Sequence, residues 1–192
     1  MAAFISQIDS STDTFGTNLT NMIKLVERLR SLERRAQAAS GKRRETFEKR
    51  GQLLPHDRLY RLLDPGMPFL RLHTLANYGV DDPDQETSVP GASALVGIGF
   101  VSSVRCMVWV DDSGISAGAM TTKTTDVALS LQSICKRQKL PLIHLVESAG
   151  ANLLHYGVEL WSNAGAIFRN LAQMSAMGLP TVVVLHGGST AG

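Results

Sequence analysis

The chain reads as an α/β protein with parallel strands, and three observations lead there. Two short apolar runs, P-L-I-H-L-V-E at 141–147 and P-T-V-V-V-L-H at 180–186, have the length and β-branched content of buried strands. Each follows a stretch with apolar residues at helical spacing, over about 124–138 and 162–177. The links are short, and a helix–strand–helix–strand order with short links predicts two parallel strands joined by a right-handed crossover. Both strands then break into small residues: Ser148-Ala149-Gly150-Ala151 after the first, and Gly187-Gly188-Ser189-Thr190-Ala191-Gly192 after the second. Such loops let a backbone turn tightly and approach another molecule closely.

Taken in order, Leu19, Met22, Ile23, Val26, Leu29 and Leu32 mark an amphipathic helix over about 17–38, ended by Ser40-Gly41. Residues 42–50 are charged and helix-compatible, with Glu45 and Lys49 one turn apart. A short helix over 55–63 is closed by Asp64-Pro65-Gly66. A first strand is expected over 69–75, then a polar loop through Asp81-Asp82-Pro83-Asp84 that ends near Pro90-Gly91. Strands over 94–99 and 104–110, joined by Val101-Ser102-Ser103, read as an antiparallel hairpin. A loop with Gly114 and Gly118 leads to the helix that buries Val127, Leu131, Ile134 and Cys135, and the later helix turns Ala166, Ile167, Leu171 and Met174 inward. This divides the chain into a helical segment, 1–66, and a ligand-binding domain, 67–192.

Composition narrows the function. A chain of 192 residues, 44% hydrophobic and 19% charged, can bury one sizeable core. A net charge of +2 gives no strong attraction to nucleic acid or an anionic membrane. Cys106 and Cys135 offer neither a disulfide framework nor metal-ligand spacing and suit a reducing compartment. The first sixteen residues hold Asp9 and Asp13 and no Lys or Arg, unlike a secretion signal or a mitochondrial leader, so a bacterial-type cytoplasm is expected. Twelve of the nineteen Lys and Arg residues lie between Lys24 and Arg61, against five acids. That bias is either a solvated helix face or a surface for phosphates or an acidic partner; the scarcity of aromatics there argues against nucleic acid. The sequence stops inside the second loop, where a helix should follow, so a longer protein is expected.

Three chemistries fit the loops. In the first, parallel neighbours end on one sheet edge, and backbone N–H groups of Ala151 and Gly192 converge on a carbonyl oxygen as an oxyanion hole. Each donor is then worth about 3–4 kcal/mol to a transition state. Ser148, Ala149, Gly150, Gly187, Gly188, Ser189 and Thr190 would shape that site and bind the substrate. In the second, Gly187-Gly188-Ser189-Thr190-Ala191 is a loose G-x-S-x-G elbow with Ser189 as an esterase nucleophile. In the third, the loops are tight turns of a non-catalytic binding or assembly module. His144 is expected to pack in mid-strand, His186 to line a pocket or pack, and Glu147 to be a hydrogen-bonded carboxylate or a general base. Lys123 and Lys136 read as surface residues. Neither a Walker A pattern nor G-x-G-x-x-G is present.

Several segments resemble a known family when taken together: R-G-Q-L-L-P-H-D-R-L-Y-R-L-L-D-P-G-M-P-F-L at 50–70, V-P-G-A at 89–92, L-V-E-S-A-G-A-N-L at 145–153 and L-P-T-V-V-V-L-H-G-G-S-T-A-G at 179–192. They resemble, in family order, the N-terminal half of the carboxyltransferase (β) subunit of biotin-dependent acyl-CoA carboxylases. The A-N-L and S-T-A-G stretches look most like the methylcrotonyl/geranyl branch. The resemblance implies a crotonase-like β-β-α superhelix and an N-terminal half that binds acyl-CoA, whose enolate is held by an oxyanion hole at Ala151 and Gly192. It further implies biotin as cofactor, carried by a biotin carboxylase/biotin carrier α subunit, and active sites completed by a C-terminal half and by other β subunits. The fragment alone is then expected to be inactive and to expose apolar surface. Compared with the family pattern, Ala149 stands in place of Gly, Glu147 in place of Asp, Met120-Thr121-Thr122 in place of an aromatic-rich stretch, and Asp126-Val127 in place of two lysines.

Overall fold

A computed structural model of the chain describes residues 5–151 and 157–190. Helix α1 (Asp13–Gly41) starts at Thr12, whose side chain accepts from the Phe15 N–H, and is followed by α2 (Arg44–Lys49) and α3 (Pro55–Leu62). Strands β1 (Leu70–Leu72), β2 (Ala94–Val101) and β3 (Val104–Asp111) come next, then a 3₁₀ turn at Ser116–Gly118. Helix α4 (Thr122–Gln138), β4 (Leu142–Ser148), α5 (Val158–Ala176) and β5 (Thr181–Ser189) complete the order.

The five strands form one sheet in sequence order. β1, β2 and β3 are antiparallel neighbours, while β3–β4 and β4–β5 are parallel, as the alternation of helix and strand requires. The β2–β3 hairpin turns through Ser102 and Ser103, both at positive φ (52° and 64°), the handedness that a two-residue connection needs. Both of their N–H groups donate to the Asp64 carboxylate, at 2.8 and 2.6 Å, which ties the turn after α3 to the hairpin tip. Alternation along β3 sorts the core into two layers. Met107 and Trp109 face α4 and α5, meeting Val127, Leu131, Cys135 and Met174. Cys106, Val108 and Val110 face the other way, with Leu59 of α3 and Leu145 of β4. Helix α4 begins with a reciprocal capping box between Thr121 and Thr124 and ends at Lys139 in the left-handed conformation.

Three features differ from the sequence-based reading. β1 is only three residues long, because His73 turns the chain at φ 56°. In α1 only Leu32, Ala36 and Ser40 are buried, and the apolar stripe from Leu19 to Leu29 is exposed. β5 does not stop before the glycines: it runs through Gly187 and Gly188 to Ser189, which pairs with Ser148. The apolar residues of β5 lie at the sheet edge, with Val183 and Leu185 59% and 65% exposed. Among the described residues, no helix is long and apolar enough to cross a membrane.

Candidate active site

The parallel pairing brings the ends of β4 and β5 together, as the repeated strand-and-loop pattern predicts. Thr190 N–H donates to the Ser148 carbonyl (3.0 Å). Gly150 sits at φ +81°, and a Cβ there would collide with the Thr190 carbonyl, so the close approach of the two segments depends on that glycine. The 3₁₀ turn braces the first loop from its other side. Ala149 N–H donates to the Ala117 carbonyl (3.0 Å), and Ser148 Oγ–H donates to the Gly118 carbonyl (2.7 Å). Met120 N–H donates to the Gly150 carbonyl (2.8 Å).

These bonds separate occupied donors from free ones. Gly150 N–H is held by Ser148 Oγ (3.0 Å), so Ala149, Gly150 and Thr190 all spend their N–H groups within the loops. Ala151 forms a parallel bridge with Met120, in which the donor is Met120 N–H and the acceptor Gly150. The Ala151 N–H has no acceptor among the described residues. Gly192, read from the sequence as the second donor, lies outside the described residues, as does Ala191. Gly187, Gly188 and Ser189 are in β5. Ser189 is therefore a sheet residue in register with Ser148 rather than the tip of a strand-to-helix elbow, and it makes no hydrogen bond to a described histidine.

Two cavities border the first loop. One, of about 300 Å³, lies between the sheet and helices α4 and α5; Trp109, Met120, Ile167, Phe168 and Val183 give it an apolar lining, and Ser148 and Ala151 are part of its wall. The other, of about 370 Å³, is polar and open. Ser148 and Ala149 line it together with Gly188 and Thr190, facing Arg43 and Arg50 from either end of α2. Ser148 thus belongs to both walls. Neither arginine forms a salt bridge with a described residue, whereas Arg44 reaches Glu48 and Asp57 (3.8 and 3.7 Å). Lys123 and Lys136 are engaged elsewhere, with Asp126 (2.9 Å) and with Asn170 and Gln173 (2.8 Å each).

A buried polar network that the sequence did not announce underlies the loop. Glu147, the residue before Ser148, directs its Oε2 to Arg58 Nη1 (2.5 Å) and Ser113 Oγ (2.7 Å), and its N–H donates to Asp111 (3.2 Å). Burial raises the Glu147 pKa, but the Ser113 hydroxyl and the Arg58 guanidinium outweigh it and hold the carboxyl below its ordinary range. Arg58 also donates to His186 Nε2 (3.3 Å). A guanidinium only donates, so Nε2 accepts and His186 is neutral with its proton on Nδ1, 3.7 Å from Glu147. Burial first, and then the neighbouring Arg58 charge, lower the His186 pKa in the same direction. His144 stacks on Trp109 (4.1 Å between centroids) and donates to Asp111 (3.1 Å), beside the apolar cavity. The signal for Arg58 was available in the sequence. It shares the face of Pro55, Leu59 and Leu62 at helical spacing, and a charge on an apolar stripe needs a buried partner.

Residues 47–192 match the carboxyl transferase domain family. Over 188 residues the chain is 34% identical to a probable biotin-dependent acyl-coenzyme A carboxylase beta2 subunit of Mycobacterium tuberculosis, covering 97% of this chain and 34% of that protein. It is 39% identical over 152 residues to the biotin-dependent 3-methylcrotonyl-coenzyme A carboxylase beta1 subunit of the same organism, covering 78% and 28%. Among solved structures, the beta subunit of P. aeruginosa geranyl-CoA carboxylase superposes with a TM-score of 0.89 at 40% identity, over all of this chain and 36% of that one. The chain spans about a third of the length of these relatives.

Proposed function

The chain belongs to the carboxyl transferase domain family, and we propose that it supplies the acyl-CoA-binding part of a biotin-dependent acyl-CoA carboxylase. The observation that carries this reading is the loop at 148–151, set between an apolar cavity and a polar cavity and presenting one backbone donor, the Ala151 N–H, with no acceptor among the described residues. An acyl-CoA has matching parts: an apolar acyl group, a thioester, and a phosphate-bearing tail. The Ala151 N–H takes the thioester oxygen. Transfer of a proton from the α-carbon to a base, a role that biotin would supply when bound, moves negative charge onto that oxygen, and a fixed N–H aimed at it stabilises the enolate more than the starting thioester. Gly192 supplies a second donor. The acyl group lies against Trp109 and Met120. The polar cavity takes the tail, with Arg43 and Arg50 pairing with phosphate oxygens.

The carboxyl group arrives on biotin held by a partner subunit, as the names of the relatives suggest, and residues 1–192 are assigned no contact with it. Their part is to bind the thioester, orient its α-carbon and stabilise the enolate that attacks. Size restricts the acyl group. An apolar cavity of 150 Å³ accommodates a benzene molecule, so twice that volume has room for roughly ten carbon atoms. Branched or extended apolar acyl-CoAs are accordingly favoured over acetyl-CoA.

The test is ATP-dependent incorporation of labelled bicarbonate by the whole protein with a biotinylated partner subunit, across acyl-CoAs of increasing chain length. Incorporation that avidin abolishes and that rises with apolar chain length is expected. No incorporation into any acyl-CoA, with an active partner, contradicts the reading.

A further inference from the structure

The register of β4 against β5 breaks at one residue. Val146 pairs with Leu185 and Ser148 with Ser189, so Glu147 alone stands opposite His186, Gly187 and Gly188. β5 therefore carries two extra residues at the point where both strands turn into their loops. The bulge wraps the Glu147 side chain: a Cβ on Gly187 would lie 2.5 Å from Glu147 Cδ, so only glycine lets β5 pass so close. The same carboxylate is gripped from two other segments, by Arg58 of α3 and by Ser113 of the loop after β3. Both members of the ion pair are 8% exposed, and the Arg58 guanidinium also lies 5.4 Å from the centre of the Phe47 ring. Three segments thus converge on one carboxylate immediately before the 148–151 loop.

We propose that Glu147, locked by Arg58, is the positioning residue of the site: it fixes how far apart β4 and β5 release their loops, and so where the loops' backbone donors point. This rests on the reading of Ala151 as the donor to a thioester oxygen. A buried pair of this kind is a poor source of net stability, because desolvation offsets much of the attraction. Its geometric demand is strict, however. A neutral or shorter side chain leaves the bulge without the bonds that hold it, and a donor displaced by about 1 Å costs a reaction about a hundredfold. Glu147 borders the polar cavity, but Arg58 and Ser113 take up its carboxylate, and it acts through the loop.

The experiment compares the whole protein with its Glu147→Gln, Glu147→Asp and Arg58→Gln variants. Two readouts are taken: steady-state acyl-CoA carboxylation with the biotinylated partner, and amide hydrogen exchange over 145–151. Glu147→Gln and Arg58→Gln are each expected to lower kcat about tenfold to a hundredfold with KM for acyl-CoA nearly unchanged. A Glu147→Gln/Arg58→Gln double variant falls no further than either single one, and Glu147→Asp is intermediate. Exchange at Ala149 and Gly150 speeds up about tenfold or more while the β2–β3 hairpin and α4 keep their protection. Unchanged kcat and unchanged exchange overturn the proposal. So does a loss of activity matched by a uniform rise in exchange along the chain, which marks general destabilisation. A wild-type protein that carboxylates no acyl-CoA contradicts the functional reading instead, and the exchange readout still decides the role of Glu147.

Discussion

Replacing Ala151 with Pro removes the one N–H of the first loop that has no acceptor among the described residues, while leaving side-chain bulk almost unchanged. If that group holds the enolate oxygen, kcat falls by about a hundredfold to a thousandfold, with KM less affected. Circular dichroism and hydrogen exchange establish that the fold persists, and unchanged turnover in a folded variant rules Ala151 out. Ser189 gives the opposite expectation. It is a sheet residue in register with Ser148 and has no described histidine hydrogen-bonded to it. Ser189→Ala should keep turnover within a few-fold, and a fluorophosphonate should leave the residue unlabelled. Abolished activity with stoichiometric labelling would restore the elbow chemistry.

At the scale of elements, α2 is the piece whose role changes most between sequence and structure. Its basic character left both a solvated face and a phosphate surface open. The structure places Arg43 and Arg50 at the rim of a cavity whose far wall is the loop pair. Arg43→Ala and Arg50→Ala are therefore expected to raise KM for an acyl-CoA about tenfold each, a charged hydrogen bond being worth about 1.5–3 kcal/mol. KM for the corresponding acyl-pantetheine, which lacks the phosphates, should not move. An equal rise for both substrates would put the arginines outside the phosphate contact. Much of the architecture was legible because periodicity is local. The face of Val127, Leu131 and Cys135 and the apolar runs at 141–147 and 180–186 name their elements without help from the rest of the chain. What was not legible depends on pairing across distance. Glu147 meets Arg58 across a separation of 89 positions, and the bulge that carries β5 through Gly187 and Gly188 packs against that carboxylate. His144, expected simply to pack in mid-strand, is also fixed by Asp111 from the neighbouring strand.

For the whole molecule, two buried groups make opposite demands as pH falls. Burial, assisted by the Arg71 charge, pushes His56 down to about 4 from 6.5, so the unfolded chain takes up its proton first and stability is lost between about pH 6.5 and 4. Burial pushes Asp112 up to about 6 from 3.8, against bonds from Ser40 (2.6 Å) and Gly114 (3.1 Å). There the folded state binds the proton first, and stability is gained as pH falls from about 6 to 4. Each effect is on the order of 3 kcal/mol at full extent, so they nearly cancel. Relative to the parent, Asp112→Asn should lower Tm progressively as pH falls from 6.5 to 4, and His56→Gln should raise it over the same range. Parallel pH profiles for both variants and the parent would refute the assignment. The larger claim, that the 148–151 loop presents to a thioester oxygen, between two unlike cavities, an N–H with no acceptor among the described residues, is tested most directly by a crystal structure of the whole protein with a bound acyl-CoA. The thioester oxygen is expected about 2.7–3.1 Å from the Ala151 nitrogen, with the acyl group against Trp109 and Met120 and phosphate oxygens beside Arg43 and Arg50. A thioester bound away from the 148–151 loop, with the Ala151 N–H satisfied by protein, would contradict it.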